Sequence, residues 1–406
     1  MSENRFCGYL DKIAAWSLYV MIFALPFSKS IIEITIVTAL VSVVAKKALA
    51  REKLLNKNTV NVFLGIFILA SLISVFNSYD IALSIRAFFT KILKFAALFL
   101  ITGEIIDTRK KLANFVIIAV SSCVLILIDG AIQYFFLHKD ILHSYPVFNY
   151  APTVPSFLGA PTASFPFPND FAAWILIFIF PTGAYLFFGK AAPVKKYMIS
   201  TLFFALFYFL VLTKVRGAWV SFLGGLGFLA FLKPKVAGGI LLIALMFGTV
   251  LAHKQLLPYA GSLTTLKDRG SMWVTGWAIF KEHPIIGNGV NTFFNKFKME
   301  RQDEDRGKRG SYAHNCYLQM ACDIGLFGLF SFIGFAAAVL FRGFRSLKAV
   351  REPFLYSLIL GLGLGLAAFL LHSAVDTNLY SLPLATLFWL SAGVLLAAVK
   401  LTESNE

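Results

Sequence analysis

The sequence predicts an all-α integral membrane protein crossing the bilayer about twelve times, and three observations carry that reading. Apolar residues make up 58% of the 406 positions and charged residues only 14%. An ordinary soluble domain has about 45–50% and about 25%. Mean hydropathy is +0.75. The apolar residues fall in long runs, as crossing a hydrocarbon core of about 30 Å by helix requires. Together these exclude a water-soluble globule, a disordered chain and a disulfide scaffold.

The runs lie at about 13–29, 31–46, 59–76, 86–103, 112–136, 171–189, 197–213, 217–232, 236–252, 313–341, 354–375 and 381–400. A turn at Pro26 to Ser30 separates the first two. The first run lacks a small-residue cleavage pattern, so it is read as a retained helix rather than a signal peptide. Glycines at 224, 225, 227, 361, 363 and 365 lie inside apolar runs, where close helix packing explains them. Three of the four cysteines lie in or beside apolar runs, and none forms a Cys-x-x-Cys pair, so they read as buried thiols.

Charge gives the sidedness. The formal charge is +16. Clusters at Lys46 to Lys57, Arg109 to Lys111, Lys190 to Lys196, Lys233 to Lys235 and Arg342 to Arg351 all fall on one side if the count is right. Positive residues mark the cytoplasmic side, which then also holds both termini. The whole chain reads as one polytopic membrane domain, residues 1–406. Two long connections face the other side. Residues 138–170 are rich in Pro and aromatics, and residues 253–312 form a large, polar, basic outer loop. Within it, 268–283 reads as an amphipathic helix with Asp268 as N-cap and Met272, Trp273, Trp277 and Phe280 on one face. Pro284 stops it, and 300–311 reads as a mobile loop.

Charges at the edge of lipid are costly and therefore informative. Lys214 and Arg216 sit in a very short outer turn, TKVRGAW. They fit either snorkelling anchors or a phosphate site, because a guanidinium fork donates two parallel hydrogen bonds. Arg269 opens the amphipathic segment. Tyr312, His314 and Asn315 stand where the polar loop enters an apolar run, and His is the side chain best poised to accept a proton near neutral pH. Asn169 and Asp170 begin a helix, by capping or by contact with substrate. Asp376, four residues after His372, orients a basic residue or is a plain loop charge. Arg86, Lys91 and Lys94 lie near one helical stripe, as a path for a lipid phosphate or as headgroup contacts. His138 and His143 lack the partners a zinc site needs. No P-loop occurs, which argues against ATP-driven chemistry, and the basic residues lie between apolar runs, which argues against nucleic acid as partner.

Several of these segments, in order, resemble the O-antigen ligase and polymerase superfamily of bacterial membrane glycosyltransferases. PNDFAAW resembles the family's Asn-Pro-Asn-like helix start, with Phe167 in place of the first Asn. TKVRGAW resembles its Arg-Gly turn. Arg269, Trp273 and HPIIGNG resemble its R-xxx-W…P-x-x-G-x-G region. His314-Asn315 followed by Gly325 and Gly328 resembles the ligase-type pattern HN-x9-G-x-x-G. The resemblance implies transfer of a glycan from undecaprenyl diphosphate to the lipid A core at the periplasmic face, by inversion and without metal or other cofactor. It implies Arg216 and Arg269 as diphosphate ligands and His314 as general base. Lys214, Asn315, Tyr312, Asn169, Asp376 and Arg86 are the further substrate-binding candidates. The expected partners are the carrier-linked glycan, the lipid A core acceptor and membrane lipids. A polymerase of the same superfamily is the runner-up, and a polyprenyl-glycan transporter the reading from another class.

Overall fold

The computed structural model describes residues 2–52, 58–148, 159–236, 238–239, 248, 264–300 and 312–403. The described residues are helical apart from turns and two isolated β-bridges. In order, the helices are α1 (Ser2–Ala24), α2 (Lys29–Ala50), α3 (Thr59–Phe76), α4 (Ile81–Ala87), α5 (Lys94–Ile105), α6 (Arg109–Ile132), α7 (Pro168–Phe188), α8 (Pro193–Leu212) and α9 (Arg216–Leu232). They continue with α10 (Thr264–Glu282), α11 (Phe293–Glu300), α12 (Cys316–Ser346), α13 (Pro353–His372) and α14 (Leu382–Glu403). Side-chain caps start several of them: Ser28 for α2, Asn58 for α3, Asp80 for α4 and Thr108 for α6. Pro168, Pro193 and Pro353 occupy first helical positions, where the missing N–H costs nothing.

Eight described helices are long and apolar enough to cross a membrane: those containing α1, α3, α6, α7, α8, α12, α13 and α14. The predicted second run is one continuous helix, α2, carrying Glu33, Lys46 and Lys47. The predicted fourth run is helical throughout, with one irregularity. A π-helical turn, Phe88–Leu93, joins α4 to α5. The eighth run, α9, has 17 residues. The ninth, 236–252, and the loop 300–311 lie almost wholly outside the described residues.

Glycine packing holds as predicted at the centre. A Cβ on Gly361 would collide with the Pro181 backbone of α7, and one on Gly225 with the Phe180 ring, so α13 meets α7 backbone to backbone and α9 meets it backbone to ring. Gly227 has open space around it and is the exception. α14 is buried on almost every side, and its Trp389 ring stacks 4.9 Å from Phe335 of α12. All four cysteines are free, and Cys123, Cys316 and Cys322 are buried.

Ion pairs order one end of the bundle. Asp11 binds Lys46 and Lys111, each at 2.6 Å, Lys47 binds Glu104 at 2.9 Å, Arg109 pairs with Glu352, and Arg342 with Glu403 at 3.2 Å. Three of the basic clusters predicted to share a side therefore meet, and the first and last helices reach the same end. Away from these ion pairs, the start of α7 reaches the connection after α13 through a bond from Asn169 to Asp376.

α12 breaks at Gly325, whose φ of 68° and ψ of −177° are not helical. The backbone groups freed by the break pair with the turn after α10. Leu326 N–H donates to the Pro284 carbonyl at 2.8 Å, while Asn288 and Gly289 N–H donate to the Cys322 and Asp323 carbonyls at 2.9 and 3.0 Å. A side chain on Gly325 would run into the Ile285 carbonyl. The G-x-x-G motif is thus the seat of the HPIIGNG turn. Gly325→Ala is expected to cost more than about 1 kcal/mol, because both the positive φ and the contact oppose it. The check is a lower unfolding midpoint of the purified variant in detergent; an unchanged midpoint would contradict the seat.

Candidate functional site

The site is built around Asp376, in the connection between α13 and α14. It is 5% exposed. Its backbone carbonyl accepts from Cys316 N–H at 3.1 Å, which ties this connection to the start of α12. One carboxylate oxygen accepts from Thr377 N–H at 2.7 Å. The other accepts from the Asn169 side-chain amide. His314 Nδ1 lies 3.5 Å from Oδ1, an ion-pair contact longer than a good hydrogen bond. Burial alone would raise the Asp376 pKa. Pairing with His314 and the charges of His372, His314 and Arg269 outweigh it and hold the group down to about 2. Asp376 is therefore an anion at any physiological pH.

Each partner is placed by its local sequence. Phe167, not Asn169, occupies the cap position of α7 and makes no side-chain cap bond. Asn169 is freed to reach Asp376, so capping does not explain it. His314 precedes α12 in left-handed backbone, φ 46°, with its side chain 32% exposed. Asn315 caps α12, its side-chain oxygen accepting from Tyr317 and Leu318 N–H at 3.0 Å each. Tyr312 is 41% exposed, with its ring 5.8 Å from Phe294 of α11.

Arg216 is the first residue of α9. The next residue, Gly217, lies against the Asp376 segment: a Cβ there would stand 2.6 Å from Val375 Cγ2 and 3.1 Å from His372 Nδ1. Only a glycine lets the Arg216 turn sit so close. Lys214, in the same turn, has φ 58° and is 5% exposed. Burial lowers its pKa to about 8. Arg269 lies on α10, and its charge reaches both Asp376 and His372.

Four candidates, His314, Asn169, Asp376 and Arg269, thus converge from four separate segments, and Gly217 brings the turn that carries Lys214 and Arg216 against the residues before Asp376. Arg86 does not join them; it is exposed on α4. Of its predicted stripe, Lys91 and Lys94 do share one side without it: Lys91 donates to Asn291 at 2.5 Å and Lys94 to Glu33 at 2.6 Å. Between them lies a cavity of about 230 Å³, on the far side of the Asn378–Tyr380 turn. It reaches Asp323, which the sequence reading passed over. Asp323 is 3% exposed and accepts from Phe293 N–H at 3.0 Å, capping α11 from another part of the chain. An acid inside an apolar run was the available signal. His143 is structural, with Nε2 3.1 Å from the Phe27 carbonyl and its ring stacked on Tyr145.

At one end of this helical membrane bundle, a histidine and an arginine thus stand beside one buried carboxylate, with a second arginine in the adjoining turn. Residues 201–333 match the family described as O-antigen ligase, and this bears out the resemblance of the motifs to the O-antigen ligase superfamily, whose members are membrane glycosyltransferase-like enzymes. The matched stretch contains Arg216, Arg269, His314 and the Gly325 break, while Asn169 and Asp376 lie outside it. Among curated proteins no match was found.

Proposed function

We propose that the protein is a ligase-type glycosyltransferase that moves a glycan from undecaprenyl diphosphate to the lipid A core. The cluster end would face the periplasm and the ion-paired end, with both termini, the cytoplasm of a bacterial inner membrane. The observation that carries the reading is the convergence of His314, Asn169 and Arg269 on one ionised, buried carboxylate, with the Arg216 turn packed beside it. These three residues and Arg216 belong to the motifs that resemble the family.

The chemistry follows from the charges. The donor is already activated, so no nucleotide is needed. The acceptor hydroxyl attacks the anomeric carbon as the bond from that carbon to the diphosphate oxygen breaks, and the configuration inverts. His314 takes the hydroxyl proton on Nε2 while Asp376 orients the ring through Nδ1 and stabilises the imidazolium. Negative charge grows on the departing diphosphate. Arg216 and Arg269, fixed beforehand, stabilise that state more than the ground state. Metal and cofactor are not required by this scheme.

Lys214 adds a pH dependence. With its pKa lowered to about 8, it is cationic below that pH and neutral above it. Donor KM is therefore expected to rise between pH 7 and 9, and to stay flatter in Lys214→Arg, which remains charged. Parallel profiles for the two proteins would remove Lys214 from the donor site.

Deletion of the gene in the native host, with gels and mass spectrometry of the glycolipids, tests the reaction. Long glycan left on undecaprenyl diphosphate, beside bare lipid A core, is the expected result. Core carrying a single repeat unit would make the protein the polymerase instead. Carrier-linked glycan retained inside the cell would make it a transporter.

A further inference from the structure

The face of α10 that the site does not use is apolar and turned outward. The predicted amphipathic face is only half right. Met272, Ile279 and Phe280 are buried, and Gly276 packs on Leu318 of α12, but Trp273 and Trp277 face away. Asp268 is no cap, because the helix begins four residues earlier, at Thr264. Trp273, Val274 and Trp277 are 37%, 73% and 55% exposed, and Ile285 just beyond the helix is 68% exposed. Exposed Ala278 lies between them, and exposed Ser271, Lys281 and Glu282 form the polar ends of the surface.

The position of this face along the bundle says what covers it. Ile285 is bonded to the break in α12, its carbonyl accepting from Phe327 N–H at 3.3 Å. From Leu326 the helix runs without charge to Arg342. That length is about 24 Å at 1.5 Å per residue, most of a hydrocarbon core. Leu326, Phe327 and Phe330 are exposed there at 36%, 44% and 63%, the pattern of a helix facing lipid. Ile285 is therefore level with the edge of the core, and the apolar surface continues upward from it onto α10. Two tryptophans above the core edge, with a lysine beside them, match the composition of a membrane–water interface.

We propose that the outward face of α10, formed by Trp273, Val274, Trp277, Ala278 and Lys281 and continued by Ile285, beds into the headgroup layer of the outer leaflet. The partner is the lipid surface itself. Interfacial helices of this kind bury their apolar face about 5–10 Å into the headgroup and acyl boundary. Arg269 rides on the same helix, so the lipid surface sets the height of that arginine. The inference does not depend on which glycan is transferred.

The test is site-directed spin labelling of the full-length protein in phosphatidylethanolamine–phosphatidylglycerol vesicles. The background is Cys7→Ser, since the other three cysteines are buried. Labels go on Ala278→Cys and, as a second site, Val274→Cys, with Phe330→Cys as the reference inside the core. Collision with oxygen should exceed that with a water-soluble nickel chelate at Ala278. The depth there should be shallower than at Phe330, with Val274 nearer the water. Nickel collision at both sites as high as for a free nitroxide in water would overturn the proposal, because the face would then stand clear of the membrane. A label shielded from oxygen and nickel alike would also overturn it, because a protein or glycan would then be the cover.

Discussion

Replacing His314 with alanine should lower glycan transfer by about 10²–10⁴-fold, the usual contribution of a general base. Folding should be retained, because the imidazole is 32% exposed and stands outside α12. The second half of this expectation concerns Asp376. Asp376→Asn keeps the shape and removes the charge that orients His314 and stabilises its protonated form. It should lower kcat with little change in donor KM. The double variant His314→Ala, Asp376→Asn should be barely slower than His314→Ala alone, since residues that act as a unit lose their effects together. Additive losses would mean that Asp376 acts without His314. Full activity in His314→Ala would end the catalytic assignment.

The arginines give the second large effect. Arg216→Ala and Arg269→Ala should each cost about 10²–10³ in rate, the loss typical of one preorganised donor to a developing anion. Lysine at either position should restore only part of it, because a point charge cannot reproduce the two-pronged fork. The comparison is made with the reaction rate at saturating donor, which isolates the transition state from binding. Arg86→Ala is the internal control: exposed on α4 and apart from the cluster, it should leave that rate within a few-fold of wild type. A loss at Arg86 equal to that at Arg269 would mean that surface charge, not the cluster, is being measured.

Much of the fold was legible because bilayer thickness leaves so little choice. Predicted 59–76 is α3, and predicted 354–375 differs from α13 by few residues. The reading weakened where the governing contact was tertiary. The run at 86–103 is apolar enough for one helix, and nothing local announces the π-turn at Phe88–Leu93. The face of α10 was misjudged because tryptophan serves a protein core and a lipid interface equally well. Asn169 was read as a cap from its place at a helix start. Its bond to Asp376 spans 207 positions and has no local signature. His314, Arg216 and Arg269 could be picked out singly, since each is a cation or base at the edge of an apolar run. Their common centre could not, because Asp376 reads as a loop charge until α7, α12 and α13 are brought together.

The most direct test uses the purified protein in vesicles with undecaprenyl-diphosphate-linked glycan and lipid A core. The readout is glycosylated core with released undecaprenyl diphosphate. Product in wild type, and at least about 100-fold less in His314→Ala of equal thermal stability, is the predicted result. Equal product from both proteins, or none from wild type while the glycan lipid crosses the bilayer, would contradict it.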